Sequence, residues 1–220
     1  SDRFEVFFVP AGYVFSIWGL IYLGLIGFGI YQALPSQREN PRLVKVGYWF
    51  LVSCLANIAW LFCWHYELFP LSLVMMVLLL LSLITVYLRL DIGRTRVSTA
   101  ETWLVNVPFS LYLGWITVAT IANVTSLLDY YGWGGWGISA QIWAVIMLAA
   151  AGLISAIMSL TRADIVYSLV IIWAAIGIAV KHSAEPLEST AAWITAVFVF
   201  VMIIAGVWKS RSNQANTTAS

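Results

Sequence analysis

FPLSLVMMVLLLLSLITVYLRLDIGRTR, residues 69–96, is the stretch that decides the fold. About twenty apolar residues run from Phe69 to Arg89, and Arg94 and Arg96 follow within one short turn. A helix rises 1.5 Å per residue, so about 20 apolar residues cross a hydrocarbon core of about 30 Å. The segment therefore predicts a membrane-spanning helix that ends on an arginine-bearing loop. Outward from it, similar apolar runs cover 9–33, 43–65, 102–127, 139–160, 165–180 and 189–208, the run at 165–180 being the shortest.

Threading these seven runs alternately through a bilayer sorts the basic residues. Arg38, Arg42, Lys45, Arg89, Arg94, Arg96, Arg162, Lys209 and Arg211 fall on one side, and Arg3 and Lys181 on the other. Cytoplasmic loops carry the excess of Lys and Arg. The expectation is an all-α polytopic bundle of seven transmembrane helices, N-terminus outside and C-terminus cytoplasmic. Composition agrees: 62% of residues are hydrophobic, 10% are charged and mean hydropathy is +0.91. Such a chain is excluded from the ordinary soluble class. Its charges punctuate loops rather than forming a basic patch, so no nucleic-acid partner is expected.

The organisation follows from the runs. Residues 129–208 form an additional three-helix region beyond 1–128, and 209–220 read as a polar, disordered cytoplasmic tail. An outside N-terminus normally needs an upstream span or a cleaved leader, which leads to the expectation that a segment before Ser1 is removed or missing from this chain. Cys54 and Cys63 sit nine residues apart on one helix, roughly 13 Å along its axis, which is beyond disulfide reach.

The chain holds 12 tryptophans in 220 residues. Trp49, Trp103 and Trp208 fall near the inner boundary, and Trp64, Trp133, Trp136, Trp143 and Trp193 near the outer one, as in an aromatic belt. Trp18, Trp60, Trp115 and Trp173 lie inside spans, where an indole N–H needs a partner. Asn57 and Asn123 also lie inside spans, where a carboxamide must be hydrogen-bonded. Asn57 and Trp60 share a helix face, as do Trp18 and Tyr22. Tyr112, Trp115, Ala119 and Asn123 follow the same spacing. Helical rise places these groups roughly 8–18 Å below the outer boundary. Two readings fit: one aromatic, weakly polar chamber, or interhelical hydrogen bonds that only hold three helices together.

The same residues carry a resemblance. Phe15-Ser16-Ile17-Trp18-Gly19-Leu20-Ile21-Tyr22 resembles the F-x-x-x-W-x-x-L-Y signature of the TspO/MBR family, the tryptophan-rich sensory proteins and translocator protein. Ala56-Asn57-Ile58-Ala59-Trp60 is similar to its L-N-x-x-W helix. Tyr112-Leu113-Gly114-Trp115, with Ala119 and Asn123, is similar to its P-Y-x-x-W-x-x-F-A-x-x-L-N helix. The match covers about residues 8–128 in a long bacterial-type version that lacks the family's first helix. Phe15 stands one residue closer to Trp18 than in the family pattern, and Leu111 replaces the proline before Tyr112.

The resemblance implies a receptor or carrier binding a tetrapyrrole, such as a porphyrin or haem, or a sterol- or carotenoid-like lipid. Trp18, Tyr22, Asn57, Trp60, Tyr112, Trp115 and Asn123 would line the site. It also implies a bacterial plasma membrane and a lipid environment, and raises porphyrin degradation, for which no catalytic signature is present. The alternative is an accessory subunit of a larger membrane complex. Small residues at four-residue steps, Ala151/Ser155, Gly152/Ala156 and Ala175/Ala179, would suit a neighbouring helix or a second copy.

Other chemistries lack their residues. A retinal Schiff base needs a mid-span lysine, but Lys45, Lys181 and Lys209 all sit at span ends. Glu101, Asp129, Asp164 and Glu188 lie at helix ends, where capping and the helix dipole account for them, and charge-coupled transport is not expected. His65 and His182 read as boundary residues rather than metal ligands. Ser16, Ser53, Ser82 and Ser110 read as hydroxyls bonded back to the preceding turn. Gly132–Gly137 reads as an aromatic-anchored outer turn.

Overall fold

The computed structural model describes residues 8–218, with side chains to residue 212. All regular structure among these residues is helical. A 3-10 turn, Gly12–Ser16, leads into α1 (Ile17–Ala33). The short α2 (Pro41–Val46) is capped by Asn40, whose side-chain oxygen accepts from Arg42 N at 3.0 Å. Then come α3 (Trp49–His65) and α4 (Phe69–Arg89). A single turn, α5 (Thr99–Glu101), capped by Ser98, passes through a π turn (Thr102–Asn106) into α6 (Val107–Tyr130). Pro108 in its first turn lacks the N–H that a regular helix would use, and the wider π turn absorbs the break. Ser139 caps α7 (Ala140–Arg162) and Asp164 caps α8 (Ile165–Lys181). The chain closes with α9 (Pro186–Thr218).

Among the described residues five segments are long and apolar enough to cross a membrane: Gly12–Ala33, Phe69–Arg89, Thr99–Tyr130, Ala140–Arg162 and Pro186–Ser212. Two further apolar helices, α3 and α8, are 17 residues each. At 1.5 Å per residue such a helix covers about 25 Å, short of the full hydrocarbon core. The run expected at 43–65 is not one helix. Gly47 takes φ +56°, a left-handed value that ends α2, and α3 starts two residues later. The polar segment from Ser210, expected to be an irregular tail, is helical as far as Thr218. Arg3 lies outside the described residues.

The centre of the bundle is α6. In the Thr99–Tyr130 segment 61% of the apolar window is buried, against 22–39% in the other long helices. Around it α1, α4 and α8 pack directly; α3 lies on α4, and α9 lies between α7 and α8. Close approach is built into the sequence. A Cβ on Gly114 would stand 3.1 Å from Tyr167 O and 3.0 Å from Val170 Cβ, so any larger residue would require α8 to give by a few tenths of an ångström there. The small residues of α7 serve the same end within this chain, Gly152 resting against Thr195 and Phe198 of α9.

Polar ties fix one end of the bundle. Arg42 bonds the Glu101 carboxylate and the Leu90 carbonyl, and reaches Asn106 Oδ1 at 3.1 Å. Arg162 donates to Asp91 Oδ1 at 3.0 Å, and Arg89 to Lys45 O at 3.1 Å. Four of the basic residues sorted to one side by sequence, Arg42, Lys45, Arg89 and Arg162, are thus tied into these loops. Deeper in, Asp164 Oδ2 accepts from Tyr87 Oη at 2.7 Å and Ser110 Oγ at 2.6 Å, while its Oδ1 accepts from Tyr167 N at 3.0 Å. Ser53 and Ser82 bond back to Phe50 O and Leu78 O. Ser110, expected to do likewise, instead serves Asp164, because α8 presents a carboxylate within reach. Asp164 is therefore both a helix cap and the knot joining α4, α6 and α8.

Candidate functional site

At the other end, α1, α3 and α6 meet through aromatic side chains. Helices α1 and α3 hardly approach as backbones, and the gap between them is bridged by rings. Trp18 is the hub. It lies nearly parallel to Tyr22 (centroids 5.4 Å apart, 25°) and to Trp60 (6.0 Å, 23°). Its edges meet Tyr112 at 6.0 Å and Trp115 at 6.4 Å, close to perpendicular in the second case. Such geometries suit the ring quadrupoles, stacked pairs offset and crossed pairs edge to face.

Beside this cluster lies a cavity of about 240 Å³. Trp18, Trp60, Trp115 and Asn123, four of the seven residues singled out by sequence, line it. The other three do not. Tyr112 is buried behind Trp18. Asn57 is buried beside the cluster and its Nδ2 donates to Tyr22 Oη at 3.3 Å, with Tyr22 on the exposed flank of α1. Trp173, the remaining interior tryptophan, is elsewhere: its Nε1 donates to Val14 O at 3.1 Å, tying α8 to the lead-in of α1.

The rest of the lining was missed or misread. Trp64, expected in the aromatic belt, lines the cavity one turn beyond Trp60, at a ring distance of 6.3 Å. Its i+4 spacing from Trp60 was the available signal. Val9, Pro10 and Phe15 close one side from the segment before α1. Along α6, Val118, Ala119, Ala122 and Ser126 surround Asn123. The two alanines leave the space that a larger side chain would fill.

The polar atoms of this region are not satisfied by one another. Asn57 Oδ1, Trp60 Nε1, Trp115 Nε1 and Asn123 Nδ2 are buried without a hydrogen-bond partner among the described residues. Asn123 Oδ1 has only a long contact, 3.4 Å, from Ser72 Oγ. A buried polar group left unpaired costs about 1–3 kcal/mol. Interhelical pairing is partial: Asn57 Nδ2 donates to Tyr22 Oη across α3 and α1, and Ser72 Oγ reaches Asn123 Oδ1 across α4 and α6. Trp60, Trp115 and Asn123, which carry two of these unpaired indole N–H groups and the unpaired carboxamide NH₂, contribute to the lining of the aromatic cavity.

The lining contains no histidine, cysteine or methionine, and the described residues hold no group of three metal-ligating side chains. The donor set thus suits organic acceptor atoms rather than a metal. His65 is exposed, edge-on to Tyr66 at 5.2 Å. His182 stands past the end of α8, where burial and then the neighbouring Lys181 push its pKa down.

The profile of a family described as TSPO-like protein matches residues 1–205 of this chain. The match extends beyond the motifs of the first half and takes in α7, α8 and most of α9. No curated protein matches, and no solved structure matches.

Proposed function

The chain belongs to the TSPO-like family and carries membrane-length apolar helices, which makes it an integral membrane protein, and on that premise we propose that it is a receptor or carrier for a tetrapyrrole or similarly flat apolar ligand. The observation that supports this most is the set of unpartnered indole and carboxamide N–H groups around the α1/α3/α6 cavity. Trp18 and Trp60 supply nearly parallel ring faces for stacking; Trp60, Trp115 and Asn123 supply donors for a carboxylate or carbonyl edge. Tyr22, Asn57 and Tyr112 hold those rings in place from behind.

A cavity of about 240 Å³ is smaller than the roughly 300–1,000 Å³ usual for drug-sized ligands. A macrocycle would therefore sit with one edge in the chamber and the rest between α1 and α3, facing lipid. A metal-free porphyrin suits the lining better than haem, because no axial ligand stands there. In this reading all seven apolar helices cross a bacterial plasma membrane, α3 and α8 with local thinning at their ends, the basic loops cytoplasmic and the chamber in the outer half.

Titrating the purified protein with protoporphyrin IX is expected to quench tryptophan fluorescence saturably. Trp115→Phe keeps an aromatic ring but removes a donor, and should weaken binding about tenfold, from the loss of roughly 1.4 kcal/mol of hydrogen bonding. Quenching that does not saturate, or an unchanged affinity in Trp115→Phe, would count against the reading.

A further inference from the structure

A second cavity, about 330 Å³, lies under the loop joining α6 to α7. Its chemistry differs from the chamber's. Trp133 and Trp143 line it with rings 5.2 Å apart and inclined at 52°, and Phe8 and Ile138 complete the apolar floor. The Trp143 N–H is already used, donating to Gly135 O at 3.0 Å. That indole contributes its ring to the lining and has no free donor. The loop is shaped for this contact: Gly135 has φ +62°, and a Cβ there would stand 3.3 Å from Trp143 Nε1. Trp136 packs over the same pair, 5.3 Å from Trp133 and 6.1 Å from Trp143.

At the lip stands Asp129, exposed, with no ion pair and no side-chain hydrogen bond among the described residues. Inclined indole faces attract a cation through their quadrupole, and a carboxylate at the mouth adds direct charge attraction. We infer that this pocket is a second binding site, separate from the chamber, for an amphiphilic organic cation. The apolar body lies on Phe8 and Ile138, and the ammonium sits between the Trp133 and Trp143 faces and the Asp129 carboxylate. A lipid headgroup amine and a free quaternary ammonium compound share this chemistry.

The test uses the full chain in an uncharged maltoside detergent, with benzyltrimethylammonium as probe and neopentylbenzene, its uncharged carbon isostere, as comparison. The charged probe is expected to bind saturably at one site, more weakly at high salt. Asp129→Asn should weaken it at least tenfold and Trp133→Leu by a similar factor. Glu39→Gln, an equal charge change in the exposed loop at the other end, should leave it unchanged. Absence of saturable binding, equal binding by the neutral isostere, or an Asp129→Asn affinity within twofold of the parent would overturn the proposal. The exposed position of Asp129 keeps that variant folded, and Trp133→Phe, which retains a ring, should restore most of the affinity lost in Trp133→Leu. Vesicles of phosphatidylcholine, compared with phosphatidylglycerol, then separate the sources: competition by the former alone assigns the site to a lipid headgroup, and competition by neither assigns it to a free cation.

Discussion

The double change Trp60→Phe with Asn123→Leu is expected to lower protoporphyrin affinity by roughly 30- to 150-fold, the loss of about 2–3 kcal/mol from two ligand hydrogen bonds. Its effect on the ligand-free protein should run the other way. Trp60 Nε1 and Asn123 Nδ2 are buried and unpartnered, so deleting them removes a desolvation penalty rather than a bond. Leucine replaces asparagine at similar volume, and the contact given up, 3.4 Å from Ser72 Oγ, is long. Ser72 keeps its own bond to Phe69 O at 2.9 Å. The ligand-free variant should therefore unfold at the same denaturant concentration as the parent or at a higher one. A variant that loses both affinity and stability would mean that these groups are structural. Residues that weaken the empty protein and strengthen the occupied one are what a binding site retains at the expense of stability.

Asp164→Ala is expected to have the opposite profile, a large loss of stability with no direct contact to the chamber. Its carboxylate satisfies the Tyr87 and Ser110 hydroxyls and the Tyr167 backbone N–H, all buried. Removing it strands three donors on three elements at about 1–3 kcal/mol each, giving a loss on the order of 3–5 kcal/mol. The hydroxyl of Tyr167, bonded to Thr117 at 3.0 Å, lies on the same α6/α8 seam and would loosen with it. Denaturant titration in detergent checks this: a shift equivalent to under 1 kcal/mol would show that Asp164 is not the knot of α4, α6 and α8. Asp164→Asn should fall between the two, since its amide retains one acceptor but turns an NH₂ towards two hydroxyl donors.

Much of this site was legible because helical spacing is local. Trp18 with Tyr22, Asn57 with Trp60, and Tyr112 through Asn123 can be placed on faces by counting, and counting depth from the helix ends brings three segments to one level. What counting cannot supply is which of those side chains reach the void. Tyr112 and Asn57 lie on the right faces yet do not line the cavity, because α6 is buried on every side there and α3 leans on α4 rather than on α1. Trp64 was assigned to the boundary by its position near a helix end, although its spacing from Trp60 continued the same face. The Val9–Pro10 wall and the Asp164 knot depend on contacts between segments far apart in sequence, which no periodicity records. The break at Gly47 was hidden by apolar neighbours. A continuous hydrophobic run says that a segment is buried in lipid or protein, and does not say that its backbone is unbroken.

Donation from the chamber's indole N–H groups to a bound ligand can be read at the nitrogen itself. Nuclear magnetic resonance of indole-¹⁵N-labelled protein, with Trp60→Phe and Trp115→Phe used to assign the two signals, follows them as protoporphyrin IX is added. Both resonances are expected to move downfield and to become protected from hydrogen exchange at saturation, while the Trp173 signal, already bonded to Val14 O, stays in place. Saturating porphyrin that leaves the Trp60 and Trp115 signals where they were would contradict the account.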